Sequence, residues 1–126
     1  MRYRLPKNER LHSRDMIDKL FSEGKRKNSG CLTGFYLIMN KEAAQKSVQI
    51  MAVVSRKRFK KAVDRNLLKR RIRESYRLQK HLICDQPETT RKGLILAFVY
   101  RHDEIRSSAE IKKAVIDILN FLRSTI

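Results

Sequence analysis

Residues 93–100 read GLILAFVY, eight residues without a charge and polar only at the terminal phenol. A continuous apolar run of this length, opened by a glycine and closed by Arg101, predicts a strand buried on both faces. Upstream, residues 62–82 carry the longest helical pattern, and Pro87 closes it within a short polar linker. Before that helix, residues 47–55 alternate, with Val48, Ile50, Ala52 and Val54 on one face, as a strand does. Residues 31–39 form a second apolar stretch and predict another strand, separated from residues 47–55 by a loop with Asn40, Lys41 and Glu42. Two amphipathic helices flank this middle part. The first runs from an N-cap at Ser13 to Glu23, with Gly24 placed to end it and Met16, Ile17, Leu20 and Phe21 as its stripe. A basic turn, Lys25 to Lys27, follows it. The second covers residues 108–122, capped by Ser107 or Ser108, with Ile111, Val115, Ile118, Leu119 and Leu122 facing inward. The order α-β-β-α-β-α, with a helix joining the last two strands, predicts a small mixed sheet covered by helices.

The chain has 126 residues, which fits one domain with a single modest core, residues 1–8 reading as a flexible basic arm. Thirty Lys and Arg against thirteen Asp and Glu give a net charge of +17. Such an excess repels itself unless a polyanion offsets it. No apolar run approaches the roughly 20 residues of a bilayer span, and the N-terminus has no apolar core of a secretion signal. The expectation is a soluble, cytoplasmic, polyanion-binding domain with no membrane association.

The charge is concentrated. Residues 56–73, RKRFKKAVDRNLLKRRIR, hold ten cations (Arg56, Lys57, Arg58, Lys60, Lys61, Arg65, Lys69, Arg70, Arg71 and Arg73) and one acid, Asp64, over half of the net surplus in a seventh of the chain. At about 100° per residue, Arg65, Asn66, Lys69, Arg70, Arg73 and Arg77 share one arc of the helix, while Leu67, Leu68, Ile72, Leu78 and Leu82 share the opposite one. Arg71 is a misfit in the apolar arc and has to snorkel or find a partner. A merely solvated helix face would mix signs at i,i+4 spacing, and only Glu74 comes near to that. A row of guanidinium forks suits phosphate oxygens.

Residues 62–74, with Ala62, Arg65, Asn66, Lys69, Arg70, Arg73 and Glu74, match A-x-x-R-N-x-x-K-R-x-x-R-E at all seven specified positions. This resembles the signature of the protein subunit of bacterial ribonuclease P. The similarity extends to Arg10-Leu11, to the helix ending in Phe21 and Gly24, to Ser55-Arg56-Lys57 after a strand, and to Arg101 after the buried strand. It departs from that pattern at Ile17, where the family has a phenylalanine, at Met51, often glycine, and at Arg71, commonly apolar. The resemblance implies an α/β (α+β) two-layer sandwich, a small mixed sheet with helices and a left-handed β-α-β crossover, similar to the second domain of a small-subunit ribosomal protein. It implies a partner RNA that performs the catalysis with Mg²⁺, precursor tRNA as substrate, and no obligatory protein partner. Carried over by position, Arg65, Asn66, Lys69, Arg70 and Arg73 would contact the catalytic RNA, together with the neighbouring cations Arg56, Lys57, Arg58, Lys60, Lys61 and Arg77. Phe21, Ile17, Lys57 and one of Phe35 or Tyr36 would line a cleft for the 5′ leader, since adjacent strand residues point to opposite faces.

Chemistry of the protein's own is not expected. His12, His81 and His102 are scattered, Cys31 and Cys84 lie far apart and read as reduced thiols, and no nucleophile stands beside a base. No metal site is expected in the protein. Rival readings are a ribosomal protein or general RNA chaperone of the same fold, a non-specific DNA binder, and a nuclease in its own right. The last needs acidic metal ligands that the sequence does not supply.

Overall fold

The structure is a computed structural model and describes residues 10–40, 48–84 and 92–125. The arm expected over residues 1–8 and the linker around Pro87 lie outside the described residues. The elements are α1 (Arg14–Glu23), β1 (Lys25–Ser29), β2 (Leu32–Asn40), β3 (Val48–Val53), α2 (Ala62–Gln79), α3 (His81–Cys84), β4 (Lys92–Tyr100) and α4 (Ser108–Thr125). They form a mixed α+β domain around one four-stranded sheet of order β1-β2-β4-β3.

The apolar run of β4 dictates this arrangement. It pairs antiparallel with β2 and parallel with β3, so both of its edges are hydrogen-bonded. Leu94, Leu96, Phe98 and Tyr100 point to one face, into a core with Leu68, Ile72 and Tyr76 of α2 and Ile111, Val115, Ile118 and Leu122 of α4. Ile95 and Ala97 point to the other face, where Leu11 and Leu20 cover them and Met16, Ile17, Phe35, Leu37 and Met51 pack alongside. Helices thus lie on both faces, α2 and α4 on one and α1 on the other. Because β3 and β4 are parallel, the chain has to cross over between them, and α2 and α3 make that crossing.

One expectation needs correction. The basic residues Lys25, Arg26 and Lys27 are not a turn but an edge strand, β1, paired with β2 in register from Lys25↔Tyr36 to Ser29↔Leu32. The two-residue turn between them holds Gly30 at φ 53°, the left-handed conformation that glycine adopts without strain. Lysines on an edge strand also discourage pairing with other chains, which is why a charged segment is tolerated there. The helix ends follow local chemistry. Gly24 N–H donates to Leu20 O at 2.8 Å, and a Cβ at Gly24 would collide with that carbonyl. Ser107 Oγ accepts from Glu110 N–H at 3.2 Å and starts α4. Ser13, by contrast, has the extended backbone of a cap but its hydroxyl makes no cap bond.

Gly34 sits where β2 touches α4. A Cβ there would stand 2.8 Å from Ile118 Cγ2, inside van der Waals contact. Gly34→Ala is expected to lower stability by about 1–3 kcal/mol through overpacking. In urea denaturation the loss should be less than additive with Ile118→Ala, which vacates the same space.

Candidate nucleic-acid interface

The segment between β3 and α2 is a structured basic loop. Phe59 is buried and its ring lies 5.7 Å from that of Tyr100. Phe59 N–H donates to Ser55 O at 3.1 Å, and Lys57 N–H donates to Ser55 Oγ at 3.0 Å. Arg65, one turn into α2, donates from Nη1 to Phe59 O at 2.8 Å and to Lys60 O at 2.9 Å. The loop is therefore pinned by an aromatic ring and one guanidinium, and Arg56, Lys57, Lys60 and Lys61 stand exposed around it. Arg65, expected to face RNA, spends Nη1 on the loop instead and is half-buried. Arg58 pairs with Asp103.

Further along α2 the row divides. Asn66 and Arg70 are exposed, while Lys69 and Arg73 turn toward the edge of the sheet. There Arg10 bridges to Ile50, and Leu11 N–H donates to Ile50 O at 2.7 Å. Arg10, His12, Lys69 and Arg73 surround a cavity of about 430 Å³ over Ile50 and Met51. Burial holds Arg73 below the usual guanidinium range, and the neighbouring charge of Arg10 adds to this. Among the described residues, Lys69, Arg70 and Arg73 pair with no acid.

Two helical-wheel expectations change, and the one for Arg71 is met. Arg77 is withdrawn from the exposed row: its Nε and Nη2 are buried. Leu78 is 48% exposed, since Ser75 and Tyr76 fill the inward arc with Leu68 and Ile72. Arg71 finds a partner, donating from Nη1 to Arg106 O at 2.8 Å.

The aromatic residues resolve by strand alternation. Phe35 points to the α1 side, where its ring centroid is 5.0 Å from that of Phe21 at an interplanar angle of 56°. Tyr36 is corrected out of the cleft. It points the other way, is buried in the main core and packs edge-on against Phe121 at 5.9 Å. Ile17 is half-buried and packs against the cluster of Leu11, Leu20, Ile95 and Ala97 beneath Phe35. Phe21, at 40% exposed, leaves a stacking surface open. Lys57 lines a second cavity, of about 680 Å³, with Arg58, Val99, Arg101 and Asp103 at the ends of β3 and β4. Val99 pairs with Thr33, two residues from Phe35 on the same face of β2, so Phe35 and this cavity lie along one face of the sheet.

Sequence reasoning missed several residues of these surfaces. The Arg26 guanidinium lies 5.9 Å above the Phe35 ring, placed there by the β1–β2 register that pairs Arg26 with Phe35. Gly30 was the available signal, because a glycine after Asn28-Ser29 between two stretches of strand marks a hairpin. Arg10 and His12 reach Lys69 and Arg73 only through the bridge to β3, which no local pattern announces.

The result is a basic α+β domain in which Lys69, Arg70 and Arg73 of one helix meet no acid among the described residues and Phe21 stands partly open beside Phe35, an arrangement suited to binding nucleic acid. Among the described residues no three of His, Cys, Asp and Glu come together as metal ligands, and no helix is long and apolar enough to cross a membrane. The family model described as Ribonuclease P matches residues 5–120. The chain is 36% identical over 111 residues to the ribonuclease P protein component of Porphyromonas gingivalis, covering 88% of this chain and 80% of that one. It is 34% identical over 103 residues to that of Chlorobaculum tepidum, covering 77% and 67%. The fold is similar to that of the Staphylococcus aureus RNase P protein, with a TM-score of 0.66 at 18% identity over 90% of this chain and 94% of that one. It is also similar to the RNase P protein from Thermotoga maritima, with a TM-score of 0.65 at 24% identity over 90% and 96%. The chain belongs to the ribonuclease P protein family.

The two roles of arginine on α2 should separate by measurement. Arg65→Ala is expected to destabilise the fold by about 1–2 kcal/mol in urea denaturation, because two carbonyls lose their donor. Arg70→Ala, fully on the surface, should stay within about 0.5 kcal/mol of the parent.

Proposed function

We propose that this chain, as the protein component of the tRNA-processing endoribonuclease whose catalysis lies in its RNA, binds the ribonuclease P RNA through α2 and grips the 5′ leader of precursor tRNA along the open sheet face. The supporting observation is the crowding of Arg73 against Arg10 beside Lys69 with no acid among them. Like charges held this close repel, and a phosphate entering the cavity turns that repulsion into attraction. The exposed cations Arg70, Arg56, Lys60 and Lys61 extend the same positive field to either side.

The leader would lie on the opposite side of the sheet edge, with Phe21 and Phe35 stacking against bases and Arg26 and Lys57 meeting the backbone. Stacking on aromatic rings accepts any base, which suits a segment whose sequence differs from one precursor tRNA to the next. The protein's contribution to hydrolysis is then binding and orientation: it neutralises phosphates that would otherwise repel one another and holds the substrate in register. Mg²⁺ would serve the RNA, which carries the hydrolysis. Such work takes place in the cytoplasm, where precursor tRNA is made.

Cleavage of 5′-labelled precursor tRNA by a bacterial ribonuclease P RNA at low magnesium tests this reading. Added protein should stimulate cleavage at the mature 5′ end, and protein alone should give none. Stimulation absent despite tight RNA binding would point to a general RNA chaperone. Lys69→Ala and Arg70→Ala should each flatten the log–log salt dependence of assembly with that RNA by about 1. Phe21→Ala should weaken precursor binding by about 1–2 kcal/mol and leave mature tRNA binding nearly unchanged. An equal loss on both would return Phe21 to a purely structural role.

A further inference from the structure

The connection between β4 and α4 is more firmly fixed than its exposure suggests. Arg101 N–H donates to Cys31 O at 2.8 Å, which holds the start of the segment on the β1–β2 turn. Tyr100 Oη donates to Glu104 O at 2.6 Å and accepts from Arg106 N–H at 2.8 Å. Glu104 N–H donates to His102 Nδ1 at 3.0 Å, and Arg71 closes the far end on Arg106 O. Asp103 therefore sits at the tip of a segment whose backbone is tied on either side of it.

The Asp103 carboxylate meets Arg58 Nη1 at 2.5 Å. Both line the cavity at the ends of β3 and β4 together with Lys57 and Arg101, a place with three cations and one acid. The Asp103 side chain is 82% exposed and that of Arg58 34%. An ion pair open to water on its acidic side contributes little to stability, so the contact is poorly explained as a brace for the fold. It is a short charge-assisted contact of one guanidinium nitrogen, Nη1, with one oxyanion, Oδ1, and a phosphate oxygen could take the same place on Arg58. In a protein so short of acids, one carboxylate has been placed on a cation that faces the leader side of the molecule.

We propose that Asp103 is a resident carboxylate that occupies Arg58 in place of an RNA phosphate, and thereby restrains non-specific binding of single-stranded RNA. The inference rests on the RNA-binding reading above. A generic strand has to displace Asp103 to engage Arg58 and gains nothing from the exchange, since one oxyanion leaves as another arrives. A strand held correctly by the remaining contacts can use Lys57 and Arg101 without breaking the pair. The acid thus lowers affinity for wrong RNA more than for the right one, which is specificity obtained by an occupied site.

Binding of a fluorescent oligo(U) to the full chain, measured by anisotropy from about 50 to 200 mM salt, reads this directly. Asp103→Asn should bind about two- to fivefold tighter near 0.1 M salt, with a log–log slope steeper by about 0.7, the value of one added phosphate contact on a single strand. Asp103→Glu should retain the parent slope. Arg58→Ala should abolish the gain in the Asp103→Asn background and change the slope less in the parent background, because there the cation is already occupied. Asp103→Ser, checked with the others by thermal melting, gives a second removal of the acid if the asparagine variant is poorly folded. Folded Asp103→Asn and Asp103→Ser with the parent slope, or an equal effect of Arg58→Ala in both backgrounds, would overturn the inference while leaving the RNA-binding reading intact. Failure of every form to bind oligo(U) at the lowest salt would overturn that reading as well.

Discussion

Burial of β4 on both faces is the constraint from which the rest of the molecule follows. A strand with apolar side chains alternating up and down cannot leave either face to water, and each buried side chain of this size is worth about 1.5–3 kcal/mol. Two helices, α2 and α4, cover the face with Leu94, Leu96, Phe98 and Tyr100. The other face is covered only in part, by α1 over Ile95 and Ala97. The incomplete cover is what leaves Phe21 and the α1 side of β2 accessible. A functional surface here is the unfinished part of a core, and the sheet supplies a rigid floor for it.

The second constraint is how to hold many cations with few acids. The fold does so by giving several arginines backbone carbonyls as partners. Arg65 holds Phe59 O and Lys60 O, and Arg71 holds Arg106 O. A carbonyl satisfies a guanidinium without cancelling its charge, so the field at the surface survives. Ion pairing would have fixed the same side chains at the expense of the charge that draws in RNA. The consequence is a positively charged surface on a firm frame: the basic loop is set by Phe59 and Arg65 from within, while Arg56, Lys60, Lys61 and Arg70 remain free to meet phosphates.

What could be read from the sequence divides along the same physical line. Strands β3 and β4, the three long helices and the helix-borne cations are encoded by local periodicity and were legible, with ends within a few residues. The seven-position match around Arg65 and Asn66 was enough to identify the family. Edge strand β1 was not legible, because an exposed edge strand has no buried face and Lys25-Arg26-Lys27 carries no alternation of polarity. The choice between Phe35 and Tyr36 was legible only as a choice: alternation says that one faces α1, and it takes the β1–β2 and β2–β4 registers to say which. Helical geometry gave Arg65 and Arg77 the right side of α2 but not their depth, which depends on what the chain does before and after the helix. Arg10 and Arg73 are more than sixty positions apart, and only the parallel bridge at Ile50 brings them to one cavity.

The two surfaces proposed to meet RNA also differ in the kind of selectivity they can provide. Cations on α2 respond to the spacing of phosphates, so they favour an RNA whose folded backbone presents oxyanions at matching intervals; sequence enters only through shape. The Phe21–Phe35 pair responds to unstacked bases and is blind to their identity. A duplex offers the first but not the second, and a short flexible strand offers the second but arrays its phosphates poorly. Only a substrate that joins a structured RNA to a single-stranded extension satisfies both surfaces at once. On the proposed reading the α2 cations stand at the β3 end of the sheet and the Phe21–Phe35 pair over β2, so a substrate that uses both has to span the sheet between them. On that reading, discrimination between a tRNA with a leader and one without would follow from the shape of the surfaces, without any residue reading a base.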